Sequence, residues 1–179
     1  MSGEKDSSQV QTNQVQTNQL KTNQEAKVAS FQFYEPGPLQ DGDLKLLLAN
    51  RYPGSASLGH VPAYRFEMRQ AGSYQLMGYI ELRIGDTHYL RMYGGHIGYQ
   101  VYPPYRGHRY AARACRLLLP LARRHGLQEL WITCNPDNWA SRRTCELVGA
   151  ELVEIVDLPP DIDMYMQGER QKCRYRLRL

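Results

Sequence analysis

The sequence predicts an α/β (α+β) domain built on a mixed, mostly antiparallel central sheet of about six to seven strands, with helices on both faces. Three observations predict it. Segments 63–69 and 74–84 alternate apolar and polar residues, as half-buried antiparallel strands do. A strand–helix–strand run from Gly94 to Asn135 calls for a right-handed crossover between neighbouring parallel strands. A second helix and two more strand-like segments then follow, so helices are available to cover both faces.

The elements can be justified in order. Residues 1–28 stand apart in composition. "QVQTNQVQTNQLKTNQ" repeats every five residues, and its apolar members Val10, Val15 and Leu20 fit neither a helix stripe nor a strand face. This reads as a disordered Gln/Asn/Thr-rich tail, with residues 29–179 as the folded domain. "FQFYEPGP" (31–38) reads as a short first strand ended by prolines, and "DGDLKLLLANRY" (41–52) as a first helix with Asp41 or Asp43 near its N-cap. "AYRFEMR" is a strand and "AGS" a turn. In the next strand, Leu76, Ile80, Leu82 and Ile84 point one way while Tyr79, Glu81 and Arg83 point the other. "GGHIGYQVY" is a strand stopped by Pro103 and Pro104.

The helix after it buries Ala111, Ala114, Cys115, Leu118, Leu121 and Ala122 at three-four spacing, and Gly126 ends it. Pro120 inside it predicts a kink or a split. "LQELWITCN" is the continuous apolar strand of a sheet interior, "DNWASRRTCELVG" a second helix, and "AELVEIVDLP" and "KCRYRLRL" the last strands. In the last, Arg170, Lys172, Arg174, Arg176 and Arg178 share one parity. That is either a solvated face that discourages edge pairing or a dock for an acidic partner.

Composition narrows the function classes. At 179 residues, 42% hydrophobic and 22% charged, the chain has the content of a single globular domain. It contains no apolar run long enough to span a membrane, and it opens without a charged-then-apolar leader, so a cytoplasmic location is expected. The net charge of +4 does not argue for nucleic acid, and no RNP, KH or zinc-finger signature appears. Cys115, Cys134, Cys145 and Cys173 match no zinc spacing and read as buried, reduced thiols, with a disulfide or metal role as the alternative.

The junction "QVYPPYRGHRYA" carries the chemistry. Arg106, His108 and Arg109 sit at the start of a helix, where the dipole already places positive charge. Free N–H groups at that start, Gly107 and the added cations together describe an anion site for a phosphate or pyrophosphate. Neither GxxxxGK[ST] nor GxGxxG is present, so this is not a P-loop or a dinucleotide fingerprint.

Here the sequence resembles the GNAT family of N-acetyltransferases, whose [Q/R]-x-x-G-x-[G/A] turn wraps the pyrophosphate of acetyl-CoA. Arg106-Gly107-His108-Arg109-Tyr110-Ala111 matches at its first and last positions, while Arg109 replaces the central glycine. Asn135, Asn138, Ala140, Ser141 and Gly149 follow in the family's order. The resemblance spans residues 30–158 and implies an acyl-CoA N-acyltransferase-like fold. It implies acetyl-CoA as donor, no metal, and direct acetyl transfer to a small-molecule or peptide amine in a ternary complex.

Val101, Tyr102, Arg106, Gly107, His108, Arg109, Tyr110, Ala111, Asn135, Asn138 and Ser141 are then the candidate cofactor-binding residues. The oxyanion donor falls on the backbone of Ile97–Tyr102. Glu81 and His96 are candidate bases, with a salt-bridged surface Glu and a structural His as the alternatives. The family's proton-donating Tyr falls on Cys145, so Tyr99, Tyr110 or a water is left to protonate the thiolate. The departures also support a non-catalytic acyl-CoA-binding or scaffold protein on the same fold. The first helix and the loop "RYPGSASLGHVPA" are expected to shape the acceptor pocket, and the assembly to be a monomer or homodimer.

Overall fold

A computed structural model describes residues 31–179, and the expected N-terminal tail lies outside them. Five strands form a meander in chain order: β1 (Leu39–Asp41), β2 (Leu44–Tyr52), β3 (Ala63–Gln70), β4 (Leu76–Arg83) and β5 (Ile97–Val101), every pair antiparallel. Three more, β6 (Glu129–Cys134), β7 (Glu151–Asp157) and β8 (Gln171–Arg178), form a second antiparallel sheet in the order β6-β8-β7. The helices are α1 (Tyr110–Arg124), α2 (Trp139–Val148) and the single turn α3 (Asp163–Met166).

The class is as expected, but eight described strands replace the expected six or seven, and they divide between two sheets. The segment 41–52, expected to be a helix, is the β1–β2 hairpin. Asp41 pairs with Leu44 across a two-residue turn in which Gly42 takes φ +53°, so Asp41 starts a hairpin instead of capping a helix. Leu44 and Leu46 are buried while Lys45 is not, which is a strand's alternation. The expected strand at 31–38 is irregular, because Pro36 and Pro38 supply no N–H to a ladder.

The first sheet buries one face. Phe66, Met68, Ile80 and Leu82 are sealed there, and α1 packs on β1, β2, β4 and β5 with its predicted stripe fully buried. Pro120 does not split α1, which runs unbroken past it, and it lies on the exposed side of the helix. The opposite face of β3 and β4 is polar, with Arg65 between Glu81 and the ring of Tyr79. In the second sheet β6 and β8 are covered on both sides, while β7 is exposed. Cys134 faces α2, while Thr133 Oγ1 donates to the carbonyl of Tyr93 in the helical turn 90–94 at 2.6 Å.

The basic face of β8 is not an edge, and its middle is buried, while Arg170 and Arg178 at its ends are exposed. β8 is the central strand, and Lys172 and Arg174 are only 7% and 6% exposed. Arg174 pairs with Glu154 and lies over the ring of Trp131 at 4.4 Å, and Lys172 pairs with Glu169. The partners come from β7 and the β7–β8 connection, so the two buried charges, Lys172 and Arg174, are neutralised internally.

Candidate active site

The two sheets meet at one point. The His96 N–H donates to the Trp131 carbonyl at 2.6 Å, and the Trp131 N–H donates to His96 Nδ1 at 3.0 Å. Beyond His96, β5 and β6 share no described backbone hydrogen bond and belong to different sheets. One hydrogen-bonding edge of β5 is therefore left without a strand partner. A cleft of about 560 Å³ opens there, walled by β5, the 105–111 turn, the start of α1 and one face of α2.

The α1 wall answers the puzzle of its cations. Arg109 is the residue before the helix and adopts φ +59°, ψ +21°, the left-handed region that glycine enters freely. A non-glycine residue is strained there by about 1–2 kcal/mol. No side chain caps this start, and no acidic residue stands in its first turn. Arg109 lines the cleft, and its guanidinium makes no described hydrogen bond or ion pair. Arg106 Nε, by contrast, donates to the Val101 carbonyl at 3.0 Å. Gly107, at φ +86° with open space where a Cβ would stand, leaves the turn's backbone bare. The Tyr110 hydroxyl is committed to Asp43, whose second oxygen takes Arg113 at 2.8 Å, so Tyr110 anchors α1 to the β1–β2 turn and gives no proton to the cleft.

The α2 wall is self-sufficient. Asn138 Oδ1 accepts from the Ser141 N–H at 3.0 Å, so this helix start is capped from within. Ser141 Oγ in turn meets the Tyr99 hydroxyl at 2.8 Å, and both residues line the cleft. Burial pushes the Tyr99 hydroxyl well above its ordinary value, so it stays protonated. Cys145, where the resemblance expects a tyrosine, is fully buried beneath this pair and does not line the cleft.

The structure thus brings Tyr99, Val101, Arg106, Gly107, Arg109 and Tyr110 to the cleft, with Ala111, Asn138 and Ser141 beside them. It places the others elsewhere. His96 is 2% exposed, its Nε2–H donates to the Gly85 carbonyl at 2.9 Å, and its Nδ1 is taken by Trp131. Both ring nitrogens are spent on the joint, and burial lowers its proton affinity. Glu81 sits on the polar face between Arg65 and Arg83, at 2.9 Å from each. The Tyr102 ring packs edge-on to Tyr79. His108 braces the turn, with Nδ1 3.0 Å from the Arg106 carbonyl. Asn135 Oδ1 accepts from Lys172 Nζ at 2.7 Å.

Sequence reasoning missed Ala140, Arg143, Thr144 and Leu147, which form the α2 side of the cleft. Their three-four spacing after Asn138 was the available signal. A second cleft, about 370 Å³ and mostly apolar, lies between the 53–62 loop and the start of the 90–94 turn, lined by Tyr52, His60, Val61, Arg83, Tyr89 and Leu90. The loop expected to shape the acceptor pocket is therefore its wall, without the first helix, since that segment is a hairpin. Arg83, in the wall of this second cleft, lies against Gly98 of β5, where a Cβ would stand 3.1 Å from its guanidinium.

Comparison with known proteins fixes the class. Residues 14–151 match the model of the acetyltransferase (GNAT) domain, and the chain belongs to the GNAT family of acetyltransferases. No curated protein matches it in sequence. Among solved structures it is similar to a Vibrio cholerae protein assigned as a ribosomal-protein-serine acetyltransferase, with 17% identity, 82% of this chain and 100% of that one covered, and a TM-score of 0.57. It is also similar to a GNAT-family acetyltransferase from Bacillus anthracis, with 22% identity, 64% and 65% coverage, and a TM-score of 0.50. A third likeness is to the microcin C7 self-immunity acetyltransferase MccE, solved with acetyl-CoA and AMP, with 17% identity, 65% and 61% coverage, and a TM-score of 0.50. The chain thus covers just under two thirds of the last two proteins, and at these identities the likeness is one of fold. No helix among the described residues is long and apolar enough to cross a membrane.

Proposed function

We propose that the protein is an N-acetyltransferase that carries an acetyl group from acetyl-CoA to a primary amine by direct transfer in a ternary complex. The observation that carries this reading is the open first turn of α1, with Arg109 held in a left-handed conformation at the cleft wall and its guanidinium without a described partner. Acetyl-CoA supplies a thioester, an acyl donor that an amine attacks directly.

The residues fit such a donor. Gly107 and the first N–H groups of α1 would hold its pyrophosphate, with Arg109 adding a charged hydrogen bond. The unpaired edge of β5, within Ile97–Tyr102, would donate to the oxygen that gains charge. The Tyr99–Ser141 hydroxyl pair holds the proton for the departing sulfur, in place of the tyrosine that Cys145 replaces. Glu81, whose side chain is 23% exposed beside Arg83, takes the proton of the amine. His96 is assigned no proton transfer. The second cleft receives the acceptor, and its apolar and tyrosine walls suit an amine carried on an apolar or aromatic group. Four buried free thiols support a reducing, cytoplasmic location.

Calorimetric titration with acetyl-CoA tests the donor. Binding is expected, and no heat at roughly hundred-micromolar ligand would sink the reading. Release of free thiol across a panel of amines then tests the transfer. Binding without turnover on any amine would favour a non-catalytic acyl-CoA-binding protein, the reading that the loss of the tyrosine at Cys145 supports.

A further inference from the structure

We propose that Cys134 and Cys173 form an oxidisable thiol pair, a modification site for hydroperoxides beneath the cleft. The two are direct partners across β6 and β8. Opposed residues of an antiparallel pair have Cα atoms about 4.5–5.5 Å apart. That falls inside the roughly 4.4–6.8 Å that a disulfide spans. Both side chains leave the same face of the sheet, so the two sulfurs can meet with at most a small closing of the two strands.

The neighbours of Cys134 favour its reacting first. Cys145 and Ser141 of α2 stand beside it, and Arg142 and Lys172 are the nearby cations. These contacts draw Cys134 below the ordinary thiol value, Cys145 contributing most, while burial pushes Cys173 up. Cys134 is also the member with residual exposure, 5% against none for Cys145 and Cys173.

The chemistry closes without another reagent. The Cys134 thiolate attacks a peroxide oxygen, an S–O bond forms as the O–O bond breaks, and hydroxide leaves. The Cys173 thiol then attacks the sulfenic sulfur. An S–S bond forms, the S–O bond breaks, and water leaves with the Cys173 proton. The two thiols supply the two electrons that reduce the peroxide. Turning the Cys134 sulfur toward Cys173 moves it away from its neighbour Ser141, whose hydroxyl also meets Tyr99 at the cleft wall. Linkage itself is independent of the proposed acetyl transfer.

The test treats the full folded chain with hydrogen peroxide, alkylates the remaining thiols and maps the peptides with and without reductant. A Cys134–Cys173 linked peptide is expected, with two of the four thiols lost and both restored by dithiothreitol. If acetyl-CoA binds the reduced chain, the oxidised chain should bind it about tenfold more weakly, the scale of one lost hydrogen bond. In Cys173→Ala, the linked peptide should vanish and Cys134 should advance to sulfinic acid. A Cys134–Cys145 linkage, four thiols intact after treatment, or sulfinic acid at Cys134 of the unsubstituted chain would each overturn the pair. These readings come from the natural sequence and do not require the variant to fold.

Discussion

Two helices begin at the same cleft and begin in opposite ways. The start of α2 is closed from within: Asn138 takes the Ser141 N–H, and Ser141 takes the Tyr99 hydroxyl. The start of α1 is open, with no side-chain cap, no acidic first turn and a cation in strained left-handed backbone. A helix start left in this condition costs stability unless something anionic completes it. The contrast teaches that one wall of the cleft is closed scaffold, while the other is left open where the proposed donor would bind.

The largest expected effect tests that openness. Acetyl-CoA at a hundredfold excess over its Kd should stabilise the protein by about 2.7 kcal/mol, read as a rise in melting temperature. A flat melting temperature would remove the contrast. Next, Arg109→Gly should relieve the left-handed strain and stabilise the ligand-free protein by roughly 1 kcal/mol in denaturant melts. The same change should weaken acetyl-CoA about tenfold, because a charged hydrogen bond is lost. Unchanged affinity would mean that the backbone alone holds the ligand. Asn138→Ala should do the reverse, costing about 1 kcal/mol of stability with acetyl-CoA affinity nearly unchanged. A large loss of affinity would show that the α2 start is ligand-binding too.

The smallest effect lies at the joint behind both walls. Burial holds His96, and less deeply His125, below the ordinary histidine value of 6.5. The unfolded chain therefore takes up protons that the folded chain refuses as pH falls below about 6.5. Stability should be level above that pH and decline beneath it. Denaturant midpoints at neutral and mildly acidic pH would show this, and equal midpoints would contradict it.

From Ala63 onward the elements were legible because period and punctuation agree. "YQLMGYIELRI" alternates cleanly, and Gly126 and Gly149 end helices at positive φ. The β1–β2 hairpin was not, since half-buried Leu47 and Leu48 fill in the alternation of β2 and imitate a helix stripe. The Gly42-Asp43 pair held the correct signal, a two-residue hairpin turn led by glycine. At the cleft, Arg106, Gly107 and Arg109 could be placed from local order alone. His96 could not be assigned, because its partners, Gly85 and Trp131, lie 11 and 35 residues away. Nor could the burial of Lys172 and Arg174 be read, because the acids that neutralise them belong to other elements.

The place of β8 sets an order of assembly. β6 and β7 pair only with β8, never with each other, so both carry bare edges until the last of the eight strands is in hand. During synthesis the five-stranded meander can close from neighbours in sequence, whereas the second sheet must wait for residues 171–178. A chain cut before Gln171 would keep its first sheet and present two unsatisfied strands. It would be a substrate for chaperones and proteases before it could be an acetyltransferase.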